Sequence, residues 1–211
     1  MKAKIVISAI FMIVLYHMSV FGQDYGTFTD NRDDKVYRWV LIGNQIWMAE
    51  NLDYNSGRGS GQYDKIYGRL YNWETAKRAC PRGWHLPSDD EWKELEYALG
   101  MSDSELEKEY SRKSGDVGLE LKSTSGWRPS FFGENGNGID SYGFRALPGG
   151  YYQTYTKRFM YYGSAIYLWT STSIDSENAR MRSLDSNDGG IGRESIYKVH
   201  GCYCRCIKDR E

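Results

Sequence analysis

The sequence lacks a charge of either sign in excess. Its 27 Lys and Arg residues balance 28 Asp and Glu residues, which leaves a net charge of −1 at pH 7. Because binding to a phosphate backbone needs a basic field, this balance excludes nucleic acid as a partner. The mean hydropathy of −0.65 excludes a protein with several membrane spans. A composition led by Gly and Tyr rather than Ala, Leu, Glu and Lys excludes a coiled coil.

Histidine and the common catalytic motifs are also scarce. The chain has 3 His residues, and only His85 and His200 lie beyond the first 22 positions, so a three-His metal site cannot be built. G-x-S-x-G, H-E-x-x-H and phosphate-binding loop motifs do not occur. We expect His85 to act as a structural hydrogen-bonding group and His200 to face solvent. The residues therefore predict no enzyme, no resident metal and no cofactor.

Two acidic pairs leave a glycosidase as an alternative. Glu134 and Asp140 flank a Gly-rich loop, and Asp185 and Asp188 flank a turn. A glycosidase needs two carboxylates close together in a cleft, whereas Asp in a surface turn usually bonds its own backbone. The run that starts at Asp185 resembles a calcium loop, but its Gly comes one place early and its twelfth position is Ile196. We therefore expect turns rather than catalytic or calcium sites.

Aromatic residues and glycine are abundant instead. The chain of 211 residues has 23 Gly, 18 Tyr and 7 Trp, and 15% of its residues are aromatic. A disordered chain lacks such residues. The composition predicts one globular domain that is rich in loops.

The first 22 residues have the pattern of a secretory signal peptide. Lys2 and Lys4 precede the apolar run 5–16, and cleavage is expected before Gln23. The alternative is an uncleaved anchor, but the run is shorter than the roughly 20 residues that span a bilayer. We predict an exported protein with a signal peptide at 1–22, a loose segment at 23–35 and one domain at 36–209.

Helical signals dominate the first half of this domain. Val36–Met48 predicts two short strands around Gly43-Asn44, and Leu70–Cys80 predicts a first helix that Asn72 caps. Ser88 and Glu91 form a capping box that opens a second helix, which ends near Gly100. A third helix is predicted over 102–113 and a last helical turn over 117–123.

Short aromatic strands dominate the second half, between Gly-rich loops. The predicted strands are Tyr142–Ala146, Gly150–Tyr155, Ile166–Ser171, Ala179–Leu184 and Gly201–Ile207. Early helices and late strands predict an α+β fold with short antiparallel strands and long Gly-rich loops.

The 4 cysteines are Cys80, Cys202, Cys204 and Cys206. Outside the cytoplasm an even number favours disulfides. The last three alternate along one strand face, where neighbours lie about 6.5–7 Å apart, a poor separation for a bridge. The residues favour one long-range bridge from Cys80 and two buried thiols. A C-x-C-x-C metal site is the alternative.

Six motifs, in order, resemble the Fibrobacter succinogenes major paralogous domain family. They occupy residues 72–76, 80–88, 121–127, 137–151, 168–173 and 205–209, so that the likeness covers about residues 36–209. The resemblance implies export, a C-type lectin-like fold and a disulfide between Cys80 and Cys206. The chain departs from the family pattern at Cys202 and Cys204, which replace apolar residues; we interpret both as small buried side chains.

The surplus of tyrosine predicts the binding surface. Adjacent residues on a strand face opposite sides, so at least one member of each adjacent tyrosine pair should be exposed. The candidate ligand-binding residues are Trp127, Tyr151, Tyr152, Tyr161 and Tyr162.

Three functions remain open at this point. The first is a non-catalytic recognition module for a glycan or a surface protein. The second is an enzyme of the sulfatase-modifying branch of the fold, which uses a reactive cysteine pair. The third is a purely structural surface component.

Overall fold

The computed structural model describes residues 24–210. The predicted signal peptide at 1–22 lies outside the described residues. Within residues 24–210, no helix is both long and apolar enough to cross a membrane.

The fold is built from many short strands and a few short helices, which confirms the α+β prediction. In chain order the strands are β1 (Tyr25–Asp30), β2 (Lys35–Ile42), β3 (Gln45–Met48), β4 (Ser60–Gly61), β5 (Leu70–Tyr71), β6 (Trp84–His85), β7 (Tyr110–Arg112), β8 (Tyr151–Gln153), β9 (Arg158–Met160), β10 (Ala165–Ser173), β11 (Asn178–Asp185), β12 (Ile191–Tyr197), β13 (Cys202–Tyr203) and β14 (Ile207–Lys208). The helices are α1 (Trp73–Ala76), α2 (Asp89–Ala98), α3 (Asp103–Leu106) and α4 (Val117–Leu121), with 3₁₀ turns at Lys65–Tyr67 and Ser114–Asp116.

The strands form two main sheets and one hairpin. The first sheet has the order β1-β2-β3-β14-β6, the second has the order β4-β5-β13-β10-β11-β12-β7, and β8 pairs with β9. In the described chain, the strand pairs are antiparallel except β10 with β13. The C-terminal strand β14 therefore lies between β3 and β6, which come from the first half of the domain.

Residues 23–35 were expected to be loose, and for most of this segment that expectation is wrong. Residues Tyr25–Asp30 form β1, which pairs along its whole length with β2. Asp30, at the end of β1, is buried and accepts hydrogen bonds from the Arg32 guanidinium. The alternation of exposed and less exposed residues in β1 involves mostly polar side chains, so the hydrophobic pattern did not reveal a strand.

Two predicted helices are shorter than expected because strand pairing replaces them. Leu70–Tyr71 pairs with both β13 and β4, so α1 begins only at Trp73, after the Asn72 cap. Likewise 110–112 pairs with β12, so α3 stops at Leu106. The strand predicted at 142–146 is also wrong, since only an isolated bridge joins Ala146 to Lys122.

The second helix follows its prediction. Ser88 and Glu91 form the reciprocal capping box of α2, and Gly100 follows the last turn at φ +96°. Trp92 and Leu95 of α2 are fully buried in the larger core cluster. Burial of this apolar stripe fixes α2 against the second sheet.

A buried ionic network joins α2 to three strands of the second sheet. Arg112 and Arg182 donate to Glu96 at 2.7 and 2.5 Å, and Arg182 and Arg193 donate to Asp89 at 2.7 and 2.6 Å. Burial opposes ionisation of Asp89, but the hydrogen bonds and charges of the arginines lower its pKa. Each charged side chain of the network has an oppositely charged partner, as buried charges require, although Arg112 Nε has no acceptor among the described residues.

The disulfide joins Cys80 to Cys206, as the resemblance implied, across a sequence separation of 126. Cys202 and Cys204 are free and fully buried in the second core cluster. A disulfide is consistent with a protein outside the cytoplasm.

Candidate functional site

A cleft of about 570 Å³ lies beside the β8–β9 hairpin. One side is formed by Gly59–Gln62 and Asn72, and the other by Tyr152, Lys157 and Phe159. Its volume falls in the range of about 300–1,000 Å³ that is typical of small-molecule sites. We call this site the hairpin cleft.

Backbone hydrogen bonds hold the hairpin against the second sheet. The Tyr152 amide donates to the Gly201 carbonyl at 2.8 Å, and the Gly201 amide donates back at 2.9 Å. A Cβ atom at Gly201 would lie 3.1 Å from the Tyr152 Cβ. Glycine at this position therefore lets the hairpin approach the floor of the cleft closely.

A row of aromatic rings starts in the cleft and continues outward. Tyr152 pairs across the hairpin with Phe159, with ring centroids 5.1 Å apart. Phe159 lies 4.3 Å from Tyr63, which lies 5.0 Å from Tyr162. Tyr162 in turn packs edge-on against buried Tyr67 at 5.3 Å. We call these five rings the aromatic row.

The outer part of the aromatic row is accessible to a ligand. Tyr63 is 52% exposed and Phe159 is 37% exposed, whereas Tyr67 anchors the row in the core. Because the fold already holds these rings in place, a ligand can pack on their apolar faces without a further loss of side-chain entropy.

Polar groups with unused bonding capacity line the opposite side of the cleft. The Asn72 side-chain oxygen caps α1 by accepting from the Thr75 amide at 2.9 Å, and its amide nitrogen has no acceptor among residues 24–210. Gln62 donates to Asp53 at 2.6 Å, which leaves its side-chain oxygen free within the same residues. On the hairpin side, beside the rings, Lys157 is exposed and forms no ion pair with the described residues. Apolar faces opposite a few polar groups suit a ligand that has both characters.

A scan against protein-family models matches the Fibrobacter succinogenes major domain over residues 40–208. The chain belongs to this family. No curated protein and no solved structure matches the chain. The family match confirms the resemblance seen in the motifs and carries no activity or ligand with it.

The residues predicted to bind a ligand in this family member lie in different parts of the structure. Tyr152 lines the hairpin cleft and Tyr162 belongs to the aromatic row. Trp127 instead is a core residue: its indole nitrogen donates to the Ser123 hydroxyl and the Ala146 carbonyl, both at 3.1 Å. Its ring is therefore absent from the cleft surface, so the structure does not support Trp127 as a ligand-binding residue.

The remaining two tyrosines lie in a separate cluster. Tyr151 is buried and packs against Tyr167, with ring centroids 4.7 Å apart. Tyr161 is 53% exposed and stacks on Tyr167 at 6.0 Å. Tyr151 and Tyr152 therefore separate as strand geometry requires, and Tyr151 contributes packing rather than an accessible face. Tyr161 and Tyr162 separate for another reason, since they follow the end of β9 and Tyr161 has a φ of +58°.

Sequence reasoning missed Tyr63 and Phe159. Tyr63 stands alone in a polar loop, and Phe159 becomes Tyr152's neighbour only when the hairpin pairs. A hairpin signal at 153–158 could have placed Phe159 opposite Tyr152. Nothing local could have placed Tyr63.

The histidines have structural roles. His85 bonds Asp209 through Nδ1 at 2.6 Å and Glu91 through Nε2 at 2.8 Å. The bond to Glu91 raises the pKa of His85 to about 8, with burial acting against it and Asp209 adding to it. His200, expected to face solvent, is buried under the hairpin, where Nδ1 faces the Thr154 amide at 3.3 Å.

Three of the four carboxylates considered for catalysis accept a hydrogen bond from a nearby backbone amide. Asp140 accepts from the Arg145 amide and Asp185 from the Asn187 amide, both at 2.7 Å. Asp188 accepts from the Gly190 amide at 2.9 Å. These bonds are those of Asp in turns. Among residues 24–210, no three His, Cys, Asp or Glu side chains are grouped to hold a metal ion.

Proposed function

We propose that this family member is an exported, non-catalytic recognition module with a C-type lectin-like fold, which binds a glycan in the hairpin cleft. The observation that carries the proposal is the exposed aromatic row opposite polar groups with unused bonding capacity. Sugar rings present apolar C–H faces and a rim of hydroxyls, so they match an aromatic face beside hydrogen-bonding side chains.

Three features support the lectin-like part of the proposal. The C-terminal strand β14 lies in the same sheet as the early strands β2 and β3. The Cys80–Cys206 bridge ties the segment after α1 to the last strands. Residues 123–149 contain neither a strand nor a helix, as in the long loop region of lectin-like domains.

The predicted leader and the disulfide support export, since structural disulfides persist in oxidising compartments.

The buried state of the two free thiols argues against the enzyme alternative. Cys202 and Cys204 are both fully buried, and desolvation raises the pKa of each thiol. A reactive cysteine needs an accessible thiolate.

A glycan array with the oxidised protein, from Gln23 onward, tests the proposal. Each sugar that binds is then titrated by calorimetry against the wild type, Phe159→Ala and the matched control Tyr97→Ala. Tyr97 is 61% exposed on α2, away from the aromatic row. Loss of one stacking face should cost about 1–2 kcal/mol, a five- to thirtyfold weaker affinity.

The expected result is a bound glycan whose affinity falls in Phe159→Ala and is unchanged in Tyr97→Ala. Circular dichroism must show that both variants fold. Equal affinity in all three proteins would refute the hairpin cleft as the site, and the absence of any bound glycan would refute the ligand class.

A further inference from the structure

A second cavity, of about 360 Å³, lies on the other side of the 3₁₀ turn Lys65–Tyr67. It opens between β2, the segment after β3 and the loop around Arg145. Tyr67 lines it, while the ring of Tyr67 also packs on Tyr162 of the aromatic row. Lysine and arginine side chains line this cavity, unlike the hairpin cleft, and we call it the basic cavity.

The cavity is lined by an excess of cations. Its charged lining residues are Lys35, Arg38, Lys65, Arg145, Arg205 and Glu50. Two of the five cations are neutralised: Lys35 pairs with Asp53 at 2.6 Å, and Arg38 pairs with Glu50, with Nε to Oε1 at 2.7 Å. The other three form no ion pair with the described residues.

Arg205 is the most unusual of the three, because it is buried without a carboxylate. It is only 1% exposed, and a buried cation is normally paired. Nε and Nη2 donate to the Asn51 side-chain oxygen at 3.1 and 2.9 Å, and Nη1 donates to the Met48 and Phe144 carbonyls. A guanidinium has five N–H groups, so one N–H of Nη2 has no acceptor among residues 24–210.

Burial lowers the pKa of the Arg205 guanidinium. Desolvation lowers the pKa of its guanidinium to about 9, and Glu50 and Asp140 offset this only in part. The side chain stays protonated at neutral pH. Its guanidinium lies over the Phe144 ring, 4.3 Å from the ring centroid, but no carboxylate among residues 24–210 pairs with it at the wall of the cavity.

Arg145 and Lys65 place two further cations at the mouth. Both side chains are exposed. Arg145 has a φ of +55°, a conformation that non-glycine residues seldom adopt, and its amide donates to Asp140 at 2.7 Å. The fold therefore holds Arg145 at the cavity in a backbone state that its own side chain does not favour.

We propose that the basic cavity binds one oxyanion, a carboxylate, sulfate or phosphate group, between Arg205 at its wall and Lys65 and Arg145 at its mouth. An oxyanion would accept a hydrogen bond from the remaining N–H of Arg205 Nη2 and compensate the three unpaired charges. The proposal rests on a different cavity from the hairpin cleft and stands whether or not that cleft binds a glycan.

The test uses four probes that separate the sources of an oxyanion: inorganic sulfate, inorganic phosphate, glucuronate and neutral glucose. Binding to the oxidised protein is measured by calorimetry at low salt. The variants are Lys65→Gln, Arg145→Gln and the matched control Arg82→Gln, an exposed cation that lines neither cavity. Arg205→Gln is measured only if it folds, because it removes four buried hydrogen bonds.

The expected result is saturable binding of at least one anion and none of glucose. Lys65→Gln and Arg145→Gln should each weaken that binding about tenfold, since each removes one charge-assisted contact. Arg82→Gln should leave it unchanged. Absence of saturable binding by all three anions would overturn the proposal. Equal weakening in Arg82→Gln would also overturn it, because the effect would then come from surface charge alone.

Discussion

The Cys80–Cys206 bridge should supply a large part of the stability of this domain. It closes a loop with a sequence separation of 126. In the chain-entropy model, a loop of this length lowers the entropy of the unfolded chain by about 16 cal/mol/K, or about 5 kcal/mol at 25 °C. A domain is typically stable by only about 5–15 kcal/mol, so Cys80→Ala with Cys206→Ala should bring it close to unfolding.

Urea unfolding of the oxidised protein, followed by circular dichroism, measures this loss. Cys202→Ala is the matched control, because it removes a sulfur from the same core cluster and keeps the bridge. The control should cost about 1 kcal/mol, the typical effect of a single substitution. The reasoning is refuted if the double variant loses no more stability than the control. Peptide mapping by mass spectrometry would locate the bridge independently, and a Cys80–Cys202 peptide would contradict the pairing.

Three further predictions follow from buried or paired groups. Glu96→Ala leaves buried Arg112 without a carboxylate and removes one of the two carboxylates that Arg182 contacts, so it should lower the free energy of unfolding by about 3–5 kcal/mol in urea; a loss below 1 kcal/mol would contradict a stabilising network. The pKa of His85 rises from 6.5 to about 8 in the folded state, so its bond to Glu91 should stabilise the fold fully below pH 6.5 and lose this effect as the pH rises through 8. The stability difference between wild type and His85→Gln, measured from pH 6 to 9, should shrink over that window, and a constant difference would exclude this linkage. Cys202 and Cys204 should not react with a thiol reagent in the native protein but should both react in denaturant; a fast native reaction would revive the enzyme alternative.

Short-range sequence patterns correctly predicted the parts of the fold that depend on hydrogen bonds between residues close in the chain. The capping box at Ser88 and Glu91 and the Asn72 cap are short-range hydrogen bonds, so the sequence specified where α1 and α2 begin. Leu70–Tyr71 and Tyr110–Arg112 became strands because distant partners pair with them. No local propensity reports such a partner, which is why helices were predicted there.

The site was predictable only in part for the same reason. Strand alternation correctly separates Tyr151 from Tyr152, since one faces the core and the other lines the hairpin cleft. The sequence predicts Trp127 as a ligand-binding residue, but its indole donates hydrogen bonds within the folded loop and fills the core. The aromatic row needs the hairpin and the loop of Tyr63 to meet, and the basic cavity needs Arg205 to meet Arg145. Both depend on tertiary packing.

The location of a bound ligand tests the central claim most directly. The isotope-labelled protein is titrated with a glycan from the array, and amide and aromatic NMR shifts are mapped onto the structure. The account predicts that the largest changes occur at Tyr63, Tyr152 and Phe159, with Tyr97 unchanged. Changes confined to another surface, with these three rings unaffected, would contradict it.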